Sequence, residues 1–169
     1  MNKTNTRTVE RRPLRLDSFD ALRLEIDRIE RAVGSGSVRT RGNWSVGQIC
    51  QHIGKFLKCT MDGFETKAPW PVRALCTLFI KKKALGPDPM PPGFKLPKKA
   101  AFLLPDPDIS DMQGITYLRA QVERVLAGEQ MTHPSPIFGP LTHDQWTTIQ
   151  LKHAAMHLSF IEYEAHDHA

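Results

Sequence analysis

Apolar residues recur at intervals of three and four over four stretches of the chain. Phe19, Leu22, Ile26, Ile29 and Val33 mark one face of a first helix, with Asp17 as its N-cap and Gly34 as its stop. Gly34-Ser35-Gly36-Ser37 then reads as a flexible loop. A second helix opens on Ser45-Val46-Gly47-Gln48, a capping box in which the serine oxygen takes a backbone N–H and the glutamine reaches back. Val46, Ile49, Ile53, Phe56 and Leu57 form its inward face. A third helix covers about Ser110 to Ala127, with Met112, Ile115, Leu118, Val122 and Val125 as its stripe and Gly128 behind it. The fourth opens on Thr142-His143-Asp144-Gln145, a second capping box, with Leu141 and Trp146 at the positions of a hydrophobic staple. Its stripe runs Trp146, Ile149, His153, Met156 and Phe160, and the helix is expected to reach about Glu164.

No strand pattern competes with these periods. The expected class is all-α, a four-helix bundle with a long crossover between helices 2 and 3. The crossover, residues 61–109, holds a short amphipathic helix over Pro71 to Leu85. Seven prolines between Gly86 and Asp108 then forbid regular helix or central strand. Residues 1–15 are polar and basic and read as a flexible arm, leaving residues 16–169 as one domain.

Composition changes this picture little. A chain of 169 residues can bury one continuous core. No apolar run of about 18 residues is present, so no membrane span is expected, and no secretory signal is legible. Cys50, Cys59 and Cys76 form no CxxC pair, which points to a reducing, cytoplasmic compartment. They read as small buried hydrophobes rather than nucleophiles. The net charge of +5 is mild for a dedicated nucleic-acid binder. From Lys67 to Lys99, however, eight residues are Lys or Arg and one, Asp88, is acidic. A solvated face accounts for that run. The competing reading is a non-catalytic helical module whose basic crossover contacts an anionic partner.

The chemistry lies in the histidines. His153 and His157 stand at i and i+4, one turn apart on one face, and His52 lies on the core face of another helix. Two such rings can reach one ion, and a third imidazole would complete a three-nitrogen set that keeps a position open. Zinc or nickel is the expected ion; iron, copper and cobalt also accept imidazole. The plain alternative is three histidines that pack in the core or stabilise it. Gln48 and Gln150 lie one turn before His52 and His153, where they could support the ligands or line the cavity. Gln48 already serves as a cap. His133, ahead of a proline in the loop before helix 4, could reach the mouth of the site as a proton shuttle or merely brace its turn. His143, His166 and His168 are not expected to coordinate.

Asn43-Trp44-Ser45-Val46-Gly47-Gln48-Ile49-Cys50-Gln51-His52 resembles the helix-2 signature of the DinB/YfiT-like superfamily of metalloenzymes. His133-Pro134, Phe138-Gly139-Pro140-Leu141-Thr142, Trp146, Gln150-Leu151-Lys152-His153 and His157-Leu158 resemble one branch more closely, the domain of unknown function 1569 family. The resemblance implies a four-helix bundle holding a divalent metal through His52, His153 and His157. It implies a small-molecule substrate, with a low-molecular-weight thiol among the candidates, in chemistry of the thiol-transferase or hydrolase kind. Helix faces not used by the core could support a homodimer. Ala154 stands where a metalloprotease of the HExxH type carries glutamate, so a peptidase is not expected.

Overall fold

The computed structural model describes residues 4–94 and 96–163. The chain is mostly helical, with one small sheet among the described residues: α1 (Phe19–Ser35), β1 (Val38–Thr40), α2 (Val46–Asp62), α3 (Trp70–Phe79), α4 (Lys81–Leu85), a 3-10 turn (Lys98–Leu103), α5 (Asp111–Leu126), α6 (His143–Leu158) and β2 (Ile161–Tyr163). Leu22, Ile26, Ile29, Ile49, Ile53, Ile115, Leu118, Val122, Trp146 and Leu158 of the four long helices meet in one buried core.

The predicted caps on α2 and α6 are present in full. Ser45 and Gln48 exchange bonds across the first turn of α2, and Thr142 and Gln145 do so on α6. Ser110 and Gln113 make a third such box on α5. At α1 the cap is Ser18 rather than Asp17, its hydroxyl accepting the Ala21 N–H at 3.1 Å. The helix also runs through Gly34 and stops at Gly36. There a φ of 71° lets the Gly36 and Ser37 amides donate to the Val33 and Ala32 carbonyls, a left-handed closure that favours glycine. Met112, expected in the α5 stripe, is 44% exposed. It lies about 100° round the helix from the centre of Ile115, Leu118, Val122 and Val125, and Gly114 takes the inward place. A Cβ on Gly114 would stand 2.1 Å from the Gly47 carbonyl oxygen, and one on Gly47 2.3 Å from that of Ser110. These two glycines let α2 and α5 cross backbone to backbone, the most extensive helix contact in the molecule.

The all-α expectation needs correction at the C-terminal end. α6 ends at Leu158, and Ile161–Tyr163 pairs antiparallel with Val38–Thr40, Arg39 opposite Glu162. Three-residue strands are too short to show a period of two, and Ile161 falls four residues after His157, so it reads as one more helical position. Glu164, the expected end of that helix, lies outside the described residues, as do His166 and His168. Residues 9–15 of the basic arm, and Leu16 after it, lie along the fold. Val9, Leu14 and Leu16 pack against the core. Arg12 pairs with the buried Glu25 and donates to the Ile161 and Leu158 carbonyls. Glu25 also accepts from the Tyr163 hydroxyl at 2.9 Å. Burial, and then the Glu25 charge, push that phenol up to about 12. A buried carboxylate held by a cation and a hydroxyl thus joins arm, α1 and β2.

The crossover helix over 71–85 forms as two pieces, α3 and α4, meeting at Ile80. The Pro-rich segment is irregular except for the 3-10 turn, which occupies the proline-free interval between Pro97 and Pro105.

Candidate metal centre

α2 and α6 lie antiparallel: His52 faces His153 and His157, while Phe56, one turn on, faces His153 and Trp146. Each histidine therefore comes from a helix whose start is set by a capping box, which fixes the register of the face it presents. One nitrogen from each of the three rings lies within 4.8 Å of the others, and ring centroids are 4.5–5.1 Å apart. Trp44 stacks on His157 at 5.7 Å and leans on His52 at 4.9 Å. Phe56 meets His153 edge-on at 4.8 Å. The imidazoles are thus walled by aromatic rings.

The surroundings hold all three rings neutral. His52 is 5% exposed, and burial lowers its proton affinity, with the Lys55 charge adding to that. Burial, then His52, takes His153 well below its ordinary value. Burial, then His153, His52 and Arg11, does the same to His157. Arg11 is fixed there by the Ser159 hydroxyl at 2.9 Å and lies over the Phe160 ring. Neutral imidazole is the form that offers a lone pair to a metal.

The tautomer of His52 follows from its neighbour. Its Nδ1 lies 2.8 Å from the Leu103 carbonyl oxygen. A carbonyl only accepts, so Nδ1 carries the proton and Nε2 keeps the free lone pair. The carbonyl is held in place by a latch between the crossover and α2. Gln51, itself buried, donates from Nε2 to the Asp106 carboxylate at 2.6 Å and accepts the Asp106 amide at 2.7 Å. Lys55 donates to the Leu104 carbonyl and to Asp106, each at 2.8 Å. Lys55 first, then Gln51, holds the Asp106 carboxyl below its usual range. The crossover is tied on the α6 side as well, where Lys152 donates to the Ala84 and Gly86 carbonyls. Sequence reasoning missed this latch, although Gln48, Gln51 and Lys55 form a polar stripe along α2 at spacings of three and four.

His153 is different. Its Nδ1 is buried and has no hydrogen-bond partner among the described residues. A buried polar atom left that way costs free energy unless something else meets it. Gln150, 1% exposed and one turn before His153, donates to the Phe56 carbonyl at 3.3 Å, and its Oε1 is likewise buried without a partner. Gln48 does not reach the centre: it caps α2 and donates to the Pro107 carbonyl.

His133 is not brought to the cluster. Its amide donates to the Thr60 carbonyl, its carbonyl accepts the Trp146 indole N–H at 3.0 Å, and its ring lies against Gly63. Thr60 is eight residues beyond His52, about 12 Å along α2, so His133 braces the far end of the helix pair. The cysteines also stand apart. Cys50 is fully buried, which pushes its thiol far up, and burial brings Cys59 to about 11, so neither supplies a thiolate near neutral pH.

The chemistry of this donor set fits a divalent ion: three neutral imidazoles, one with its tautomer preset and one with an unpartnered buried nitrogen. Compared with known families, residues 8–164 match the family model described as "Protein of unknown function (DUF1569)". No curated protein and no solved structure matches the chain.

Proposed function

We propose, from the premise that the chain belongs to the DUF1569 family, that it is a metal-dependent enzyme acting on a small molecule, with His52, His153 and His157 as ligands of zinc or nickel. The observation that carries this reading is the convergence of three nitrogens, from two helices, within 4.8 Å, with the His153 Nδ1 buried and unpartnered. We read the four long helices, with the connection between α2 and α5, as a DinB-like bundle. The free thiols fit a cytoplasmic setting.

A divalent ion with three protein ligands and an open position supplies an acidified water or thiol near neutral pH. The chain's own residues do the rest. Leu103 presents its carbonyl to keep the His52 Nε2 lone pair free, and the latch of Gln51, Lys55 and Asp106 holds that carbonyl still. Trp44 and Phe56 exclude water from the imidazole faces, which strengthens charge interactions inside. The Arg11 charge, felt at His157, would favour an anionic group near that ring, whether thiolate or carboxylate. Ala154 provides no carboxylate base, so any proton transfer would fall to the substrate or solvent. That suits thiol-transferase-like or hydrolase-like chemistry on a small molecule.

Metal content of untagged protein by mass spectrometry tests the reading. About one equivalent is expected in the wild type and little in His52→Ala, His153→Ala and His157→Ala, followed by turnover in thiol-transfer or hydrolysis screens. A wild type that carries no metal and takes up neither zinc nor nickel overturns it.

A further inference from the structure

The amphipathicity of α3 is inverted. On a helix lying at the surface of a soluble protein, the outward face is ordinarily polar. Here Arg73 and Cys76 are the half-buried positions, while Leu75, Leu78 and Phe79 are 59%, 72% and 67% exposed and Val72 is 45% exposed. At about 100° per residue, these four share an arc roughly 120° wide on the side away from the protein body. Trp70, at the start of the helix, is 78% exposed. The underside, by contrast, is tied down. Ala68 donates to the Pro136 carbonyl, Thr77 to that of Phe138 and Lys81 to that of Pro140. The helix is therefore held on one side by the 136–140 loop, where Trp70, Ala74, Thr77 and Leu78 line a shallow groove with Phe138, Gly139 and Pro140, and its outer arc of Val72, Leu75, Leu78 and Phe79 is left largely open.

Charge says what covers it. Lys67, Lys82, Lys83, Lys98 and Lys99 are exposed along the same segment, and Asp88 is the one acidic residue between Lys67 and Lys99. An outward apolar face followed by lysines at its C-terminal end is the pattern of a helix lying in the plane of an anionic lipid interface. The helix is too short to span a bilayer, about 15 Å long. A second copy fits less well. The footprint, roughly 15 Å by 10 Å, falls far short of the ~800 Å² per partner of a stable interface, and a pair would gather lysines from both copies with few carboxylates to offset them.

We propose that the outward face of α3 docks the protein on an anionic phospholipid bilayer, with Val72, Leu75, Leu78 and Phe79 entering the headgroup–acyl boundary and Lys82 and Lys83 meeting the phosphates. This binding is independent of the histidine cluster. The test is flotation of the full chain with vesicles of phosphatidylcholine containing about one-third phosphatidylserine, against pure phosphatidylcholine, the fraction following from the need for an anionic leaflet. The protein is expected to float with the first and at least about tenfold less with the second. Leu78→Asp combined with Phe79→Asp should abolish flotation with circular dichroism unchanged, because both side chains are exposed. Lys82→Gln and Lys83→Gln should each weaken it roughly fivefold. Failure to float with either vesicle overturns the proposal, as does flotation that the α3 variants leave unchanged. Two further results also overturn it: retention on heparin without vesicle binding, and a dimer that Leu78→Asp converts to monomer without lipid.

Discussion

The histidine cluster and the face of α3 break the same rule in opposite directions. Around His52, polar side chains are buried among aromatic rings and tied by carbonyls. On α3, large apolar side chains stand in water while an arginine turns inward. Ordinary folding energetics would exchange the two arrangements, since burying apolar surface stabilises by about 25 cal/mol per Å² and burying an unpartnered polar atom costs roughly 1–3 kcal/mol. The two regions differ in what surrounds them. The cluster lies inside a closed set of contacts, so an ion there would be bound by preset donors. Among the described residues the α3 face is left largely open along its outer arc, and the proposed docking assigns it a cover from outside the chain. The comparison teaches that the two departures from the inside–outside rule call for different partners, a ligand for buried donors and a surface for an exposed apolar arc, and both proposals rest on that difference.

The largest effect expected is on the buried side. His153→Ala should lower zinc affinity by more than about a hundredfold, since a ligand is lost outright rather than weakened. Isothermal titration of metal-free protein checks this. If the wild type binds zinc, a hundredfold excess over Kd should raise its Tm by roughly 5–10 °C, and the variant should show no such rise. An unchanged affinity in His153→Ala would return the cluster to ordinary core packing.

Gln51→Ala sharpens the comparison by leaving the ligands in place and freeing the latch. With the Leu103 carbonyl no longer held, zinc affinity should fall about 10- to 100-fold with helicity retained. A Gln51→Ala variant that binds zinc as the wild type does would show that the carbonyl needs no latch.

The next effect is a pH dependence of metal-free stability. In the fold all three histidines are held neutral, above all by burial. In the unfolded chain they protonate near pH 6.5. Below that pH the unfolded state binds more protons, so stability is full above about pH 6.5 and falls as pH drops, by at most about 1.4 kcal/mol per pH unit for each histidine. Asp106 and Glu162, each held low by its partners, and Asp62, brought to about 2 by Arg124 and Lys58, titrate below this window. Urea midpoints at pH 7.5 and pH 5.5 in chelator should show the loss, and His153→Ala should make the dependence shallower. A flat profile would mean the rings are not held neutral.

The smallest effect belongs to the exposed side. Leu78→Gln should change stability by no more than about 0.5 kcal/mol, read from a denaturation midpoint, because the side chain buries little in the monomer. A clear loss would mean that α3 is covered within the protein itself.

Much of the local framework was legible along the chain. The stripes of α1 and α2, the capping boxes at Ser45 and Thr142, and the shared face of His153 and His157 all rest on interactions between residues three or four apart, and such spacings are visible in a linear string; the stripe expected on α6 is displaced, its buried side carrying Leu151, Ala154 and Leu158 beside Trp146 and Ile149. The departures come from contacts distant in sequence. Met112 faces out because Gly114 meets Gly47 across a helix crossing. The chain after Leu158 leaves the helix because Ile161–Tyr163 finds Val38–Thr40. His133 sits at the far end of α2 because its amide and carbonyl are taken by Thr60 and Trp146. No periodicity encodes pairings of that kind.

What the amino-acid sequence determined by itself is where helices begin, which face of most of them is apolar, and that two histidines one turn apart share a face. Those outcomes follow from capping, side-chain period and backbone geometry, which act within a turn or two. The tertiary structure alone decided that Glu25 is a buried partner for Arg12 and Tyr163, that Gln51 and Asp106 hold the carbonyl that sets the His52 tautomer, and that the apolar side of α3 faces outward. Each depends on which distant surfaces the folded chain brings together, and a free energy shared between residues 13 to 138 positions apart has no local signature.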